Sequence, residues 1–558
     1  MMERLFETHE VRKQKSLDGI WTFYPDTNPA DRRKVLVPSC VEAYPGYENY
    51  RGKCVFEREV YLEGNTRFCF KGVSHTAEVF LDGERIGIHY NAYTPFEFVI
   101  RQAGQGRHTL RVTADNSCHA HSSLHVVNDY YNYGGITRPV VVETLKDFWV
   151  KRIHVTPARE QGIWAATVQV WMENLTDKRQ ENVLCIRLED ETVCQADLEM
   201  EPGETVWEKK LWFPGVETYE PETPKLYRIQ ALLKRGETAE DDLIDRVGFR
   251  EITVRQDRIY FNERILSIRG FNRHEEHAQF GCALPIEAMD QDLRLIEAMG
   301  ANAVRTCHYP NDERFLDLCD EKGILVWEEG HARGLSEAQM RHPDFRRQSL
   351  DCLEEMVENH YNHPSIFVWG ILNECASDTE YGRIVYREQY EKLRSMDASR
   401  PVTSATCRHF TDICLDLPDI VSVNLYPGWY HDEPVKECLE KEYEWIQAAG
   451  GAGKPLLVSE IGAGGISGYH AAHRPKWSEE RQSDILKEQL EGVLGFQPAS
   501  GLFIWQFCDG RVPDENFYAR PGCKNNKGVV DGNRQRKLAF ETVRQLFRAE
   551  RAKEEKSR

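Results

Sequence analysis

From about residue 256 onward the chain alternates short apolar segments with amphipathic ones, and this restricts the fold more than any other feature. Strands are expected at Ile265–Arg269, Ala301–Arg305, Ile324–Glu328 and Ile366–Trp369. Four more are expected at Val402–Ala405, Ile420–Asn424, Leu456–Glu460 and Leu502–Gln506. Helical periodicity occupies several of the gaps, at Ile286–Met299, Phe345–Tyr361 and Glu479–Leu494. Strand and helix in alternation build parallel sheets, because a helical crossover returns the chain to the same end of the sheet. Eight such strands in roughly 300 residues fit a (β/α)8 TIM barrel. The charged tail 548–558 reads as a fraying helix end.

Upstream the texture is β throughout. Trp21–Tyr24, Val55–Tyr61 and Arg67–Phe70 alternate in polarity as half-buried strands do. Asp82-Gly83 supplies a hairpin turn between Ala77–Leu81 and Glu84–Ile88. Residues 1–145 therefore read as a β-sandwich jelly roll. Thr167–Trp171, Asn182–Leu188 and Leu226–Leu233 continue the pattern, and 146–255 fit an immunoglobulin-like β-sandwich. The expected fold class is multidomain: these two sandwiches, followed by a catalytic barrel over 256–558.

Composition narrows the function classes. The chain has 558 residues, 29% of them charged and 41% hydrophobic, which suits a globular protein of several domains. No apolar run reaches the ~18–20 residues of a membrane span. The segment Met1–Glu7 lacks a signal peptide's apolar core, so a cytoplasmic location is expected. A net charge of −19 argues against nucleic acid and membranes as partners, and makes any cation near a site informative. Sixteen scattered cysteines read as buried thiols; Cys375, beside Glu374, reads as packing. His119, His121 and His125 lack zinc-site spacing, so no metal is expected.

A barrel gathers the ends of its strands at one mouth. In order these ends are Arg269–Glu275, Arg305–Pro310, Glu328-Glu329, Asn373-Glu374, Asn424–Tyr426, Ser459-Glu460 and Trp505-Gln506. Carboxylates, amides, imidazoles and aryl faces suit sugar hydroxyls and pyranose rings. Neither a phosphate-cradling glycine loop nor an H-E-x-x-H zinc motif is present. Two glutamates on separate strand ends, Glu374 and Glu460, are the minimum equipment for cleaving a glycosidic bond.

The runs Asn302–Pro310 and Asn362–Glu374 resemble the two signatures of glycoside hydrolase family 2. That family includes β-glucuronidases, β-galactosidases and β-mannosidases, and the resemblance extends from about residue 15 to 545. It implies the same jelly roll, immunoglobulin-like sandwich and barrel. It also implies retaining hydrolysis without a cofactor, with Glu374 as general acid/base and Glu460 as nucleophile. Such a pair needs an acid that keeps its proton near neutrality and a nucleophile that stays ionised. Arg305 and Tyr426 are expected to donate to Glu460, Asn373 to bond the sugar 2-OH, and His308 to support the site.

Asn525-Asn526-Lys527-Gly528 resembles the Asn-x-Lys-Gly run of the family's β-glucuronidases. Asn525 and Lys527 would then grip the C6 carboxylate of a uronic acid through charge-assisted bonds. Asn424–Tyr430 resembles their Asn-x-Tyr-x-Gly-Trp-Tyr run, which brings in Asn424 and lets Tyr430 reach the same carboxylate. Asp129 matches an aspartate that reaches the sugar from the jelly roll, His274 a sugar-binding histidine, and Trp505 a platform residue.

Two departures stand out. Segment 330–344 is short where some gut-bacterial glucuronidases carry a long loop over the aglycone, which implies an open mouth. Arg333 adds a cation after the third strand, and Arg520 is out of register with the family's arginine before Asn-x-Lys-Gly. Both could shift recognition toward β-galacturonides, which share the carboxylate but have an axial 4-OH. The expected function is a retaining exo-β-glucuronidase acting on small glucuronides or oligosaccharide ends, homo-oligomeric by analogy. A β-galacturonidase or β-galactosidase of the same family is the alternative, and an inactive carbohydrate-binding protein a remote one.

Overall fold

The computed structural model describes residues 2–557. Eight parallel strands close into a barrel in sequence order. They begin with β1 (Ile268–Asn272), β2 (Ala303–Arg305), β3 (Leu325–Glu329) and β4 (Ile366–Asn373). They continue with β5 (Val402–Thr406), β6 (Ile420–Asn424), β7 (Leu456–Ile461) and β8 (Ala499–Ile504). β8 returns to pair with β1, placing Ile268 opposite Gly501. Every residue of β4 is buried, as a strand must be when helices cover one face and the barrel interior fills the other.

All the expected barrel strands are present, and the displaced boundaries have causes. Arg264–Ile265 does not open β1; it is the last strand of a small antiparallel sheet with Ile252–Arg255 and Arg258–Phe261. This sheet closes the barrel from below, where Ile259 and Phe261 pack with Ala303, Leu325, Phe367 and Phe503. Burying each large apolar side chain there contributes about 1.5–3 kcal/mol. The same sheet straddles position 255, where the barrel was expected to begin. Helices Ile286–Met299 and Glu479–Leu494 have the expected bounds, and Phe345–His360 ends one residue early.

The tail does not fray within the described residues. Leu538–Ser557 is one helix: its first half buries Ala539, Phe540, Val543 and Phe547 in the barrel's outer core, and in its second half Glu554 pairs with Arg269. None of the described helices is long and apolar enough to cross a membrane.

Upstream, an eight-stranded antiparallel sheet system forms the jelly roll, with Lys53–Phe70 paired along Phe96–Asp115. Sheets of three and four strands then face each other as the immunoglobulin-like sandwich. Val168, Val170, Leu184, Ile186, Ile229 and Leu233 fill its core. The hairpin at Asp82-Gly83 joins Thr76–Leu81 to Glu84–Tyr90, and Asp82 has the left-handed φ of 51° that such a turn requires.

Candidate active site

At the C-terminal mouth of the barrel lies a cavity of about 360 Å³, and both Glu374 and Glu460 line it. A larger depression of about 600 Å³ sits at the opposite end, beneath β5 and β6. There Arg394 is already paired with Asp419, and Lys454 donates to the carbonyls of Leu415, Asp416 and Pro418. The chemistry therefore belongs to the smaller, carboxylate-lined cavity.

Glu460 lies within β7 and receives two donors. Arg305 Nη1 reaches its Oε1 at 3.1 Å, and the Tyr426 hydroxyl reaches Oε2 at 2.5 Å. The Arg305 guanidinium is fully buried at the end of β2 and also donates to Asn272 Oδ1 (2.9 Å) and Asn373 Oδ1 (2.8 Å). Glu374 follows β4 with a left-handed φ of 53°, a costly backbone state for a residue with a Cβ. Its Oε1 accepts from Asn424 Nδ2 at 2.9 Å, and Arg333 Nη2 stands 3.3 Å from Oε2. Ser459 Oγ fixes the Asn424 amide through a 2.7 Å bond to Oδ1.

Electrostatically the site departs from expectation. Burial and the neighbouring charge of Glu374 push Glu460 up to about 7, while Arg305, Tyr426 and Arg333 pull it down. The carboxyl expected to stay ionised is thus the one whose proton is held more tightly than usual. The cause is its depth in the site, opposite a second acid.

Of the cavity's cations, Arg333 is paired with Glu374 and Arg520 with Asp129. Lys527 is 3% exposed, yet among the described residues it forms no ion pair with a carboxylate. Its Nζ donates to the Tyr430 hydroxyl at 2.6 Å and lies 4.5 Å from the ring centres of Tyr426 and Tyr430. Burial lowers its pKa, and Arg520 reinforces the effect. Lys527 opposes the effect of burial on Tyr430 and leaves that phenol below its ordinary value. Arg520 grips Asp129 with bonds of 2.7 and 2.5 Å, and Asn525 Nδ2 adds a third at 3.1 Å. Asp129 does reach the cavity from the jelly roll, and its carboxylate accepts from these partners.

Several buried polar atoms have no partner: Asn373 Nδ2, His274 Nε2, His308 Nε2 and Arg333 Nε. Buried polar groups are rarely left unsatisfied, and a cluster of them beside a cavity marks where a polar ligand completes the bonding. Trp505 lies in their midst, stacked on His308 at 5.1 Å and edge-on to His274 at 5.4 Å. Burial holds His274 down to about 3 and His308 well below its ordinary value, so both are neutral imidazoles.

The sequence-derived residues Asp129, Arg333, Glu374, Asn424, Tyr426, Tyr430, Glu460, Trp505, Arg520 and Lys527 all line the cavity. Asn373, Arg305, His274, His308 and Asn525 support it from behind. Cys407, His409 and His431 also line it and were not singled out; they lie on loops after β5 and β6, where only the fold reveals proximity. His274, Cys307 and His308 bring potential ligand atoms within 4.8 Å of one another. His308 Nδ1, however, is bound to Glu329 at 3.0 Å, and burial pushes the Cys307 thiol far up. His119, His121 and His125 do not converge: His125 stacks on buried His75 at 4.3 Å, whereas the His121 side chain is 82% exposed.

Residues 252–550 match the family model described as the TIM barrel domain of glycosyl hydrolases family 2. A GH2 beta-galacturonidase from Eisenbergiella tayi, solved bound to galacturonate, is 50% identical, with a TM-score of 0.97. That similarity covers 98% of this chain and 99% of the other. A curated beta-glucuronidase from Streptococcus agalactiae is 26% identical over 584 residues, covering 95% of each chain. A β-glucuronidase from Ruminococcus gnavus, in complex with a C6-substituted uronic isofagomine, shares the fold at 24% identity and a TM-score of 0.87. It covers 98% of this chain and 99% of that one.

Proposed function

The chain belongs to glycosyl hydrolase family 2, and from that premise we propose that it is a retaining exo-β-uronidase whose preferred substrates are β-D-galacturonides. The observation that carries the uronide reading is Lys527, a buried ammonium with no carboxylate of its own. A buried charge without a counter-ion is costly, and a sugar carboxylate would supply one. A neutral galactoside would leave the ammonium unpaired, so the site discriminates by penalty as well as by attraction.

In this reading Glu460 attacks the anomeric carbon while Glu374 protonates the departing oxygen; water, activated by Glu374, then releases the sugar from Glu460. Arg305 and Tyr426 hold the attacking carboxylate in one orientation. The free Asn373 Nδ2 is the donor suited to the sugar 2-OH, where hydrogen bonds strengthen at the transition state. Asp129 and Arg520 bound the glycone end of the cavity, which suits release of single terminal residues.

The preference for galacturonides rests on the 50% identical galacturonidase, and Arg333 and Arg520 are the residues we assign to that preference. β-Glucuronides are the second reading, favoured by the Asn525–Lys527 run and the curated glucuronidases. The sixteen free thiols accord with a cytoplasmic enzyme, and a homo-oligomer completes the proposal by analogy with family members. The deciding experiment compares initial rates on 4-nitrophenyl β-D-galacturonide, β-D-glucuronide and β-D-galactoside. The galacturonide should be fastest and the galactoside slowest. A galactoside rate equal to either uronide contradicts the role of Lys527, and a faster glucuronide selects the second reading.

A further inference from the structure

β3 ends in two carboxylates that point opposite ways, as successive strand residues must. Glu328 faces the outer helix Phe345–His360 and accepts from His360 Nδ1 at 2.8 Å. Glu329 faces inward, is 0% exposed, and does not line the cavity. Its two oxygens take Arg305 Nε and Nη2 at 2.8 and 3.0 Å in a bidentate clamp, and Oε1 also meets His308 Nδ1 at 3.0 Å. Its own backbone N–H donates to Thr306 Oγ1, so the strand end is fixed as well.

We infer that Glu329 is a positioning residue for the reaction, acting on the nucleophile through Arg305 and on the glycone wall through His308. One guanidinium spans Glu329, Glu460, Asn272 and Asn373, so the anion behind it sets where its remaining donors point. Because neutral His308 gives its Nδ1 proton to Glu329, its Nε2 presents a lone pair toward the interior of the site. Glu329 also divides the charge of Arg305 between two carboxylates. Without that share, Glu460 would feel the full cation, with Arg333 and Tyr426 acting in the same direction and burial and Glu374 opposing them. This inference rests on the nucleophile assignment above.

The test uses the full-length enzyme and whichever 4-nitrophenyl glycoside the wild type cleaves fastest. The wild-type rate then tests the functional reading, and the variant-to-wild-type ratio tests Glu329. Glu329→Gln should lower kcat roughly 100-fold, the cost of a displaced catalytic group, with KM changed less than about threefold. Its acid limb in kcat/KM should move to lower pH, because an uncompensated Arg305 favours ionised Glu460. Glu328→Gln should lower the thermal midpoint and leave that limb in place. A folded Glu329→Gln enzyme with an unmoved acid limb overturns the inference, as does a loss confined to KM. If the Gln variant does not fold, Glu329→Asp keeps the charge and shortens the reach. It should lower kcat without moving the limb, and full activity in that variant overturns the inference equally.

Discussion

Glu460 is held by opposing forces. Burial and Glu374 favour its protonated form, whereas Arg305, Tyr426 and Arg333 favour the anion, and the balance lies near 7. A carboxyl whose pKa is raised is protonated below that value and cannot attack. The rate governed by free enzyme should therefore fall as pH drops through about 7, read as the acid limb of kcat/KM. Tyr426→Phe removes a donor that stabilises the anion, so its limb should move to higher pH; a limb that moves down or stays would contradict the assigned contact. Both glutamates were legible in the sequence because each ends an apolar strand with a polar partner beside it. Glu329 stood in the same list of strand ends, but nothing in its spacing distinguished it from Glu328. Only the direction of each side chain separates a clamp on Arg305 from a bond to an outer helix.

At the scale of elements, the role proposed for Lys527 depends on a short hairpin, β9 (Gly510–Arg511) paired with β10 (Lys524–Asn525). It brings Lys527 into the cavity and Asn525 behind it onto Asp129, while Gly528 has no room for a side chain. A Cβ there would lie 2.2 Å from the Asp509 backbone nitrogen. Lys527→Ala should abolish most uronide hydrolysis, by about 100-fold or more for loss of a buried charge-assisted contact, and leave residual galactoside hydrolysis much less affected. Equal proportional losses on both substrates would mean that Lys527 does not read the carboxylate. The barrel strands were legible because buried parallel strands are continuous apolar runs. β1 was misplaced because Arg264–Ile265 is also strand, but in the sheet below, and propensity does not say which sheet a strand joins. The tail from 548 was expected to fray because it is charged throughout, and Arg269, which pairs with its Glu554, lies far away in the sequence.

Across the whole molecule, residues 4–12 act as a strap between units. Arg4 binds Asp317 on the barrel helix Glu313–Lys322. Arg12, almost fully buried, binds Asp241 of the immunoglobulin-like sandwich at 2.7 Å and Glu143 of the jelly roll at 2.9 Å. The sequence offered no hint of this, since it is a polar segment whose partners lie far along the chain. Arg12→Ala strands Asp241 without its cation, so it should cost about 3–5 kcal/mol and lower the thermal unfolding midpoint; an unchanged midpoint would show the strap to be dispensable. Arg520 and Asp129 make a comparable link at the cavity itself, joining jelly roll to barrel. The cavity is thus lined by residues of both units.

The central claim is that Glu460 forms a covalent bond to the sugar of an acid-bearing glycoside. Incubation with a 2-deoxy-2-fluoro-β-D-galacturonosyl fluoride, followed by proteolysis and peptide mass spectrometry, tests it most directly. The account predicts inactivation with a single fluorosugar on the peptide containing Glu460, absent in Glu460→Gln. A label on any other residue, or turnover that yields the inverted anomer with no covalent species, would contradict it.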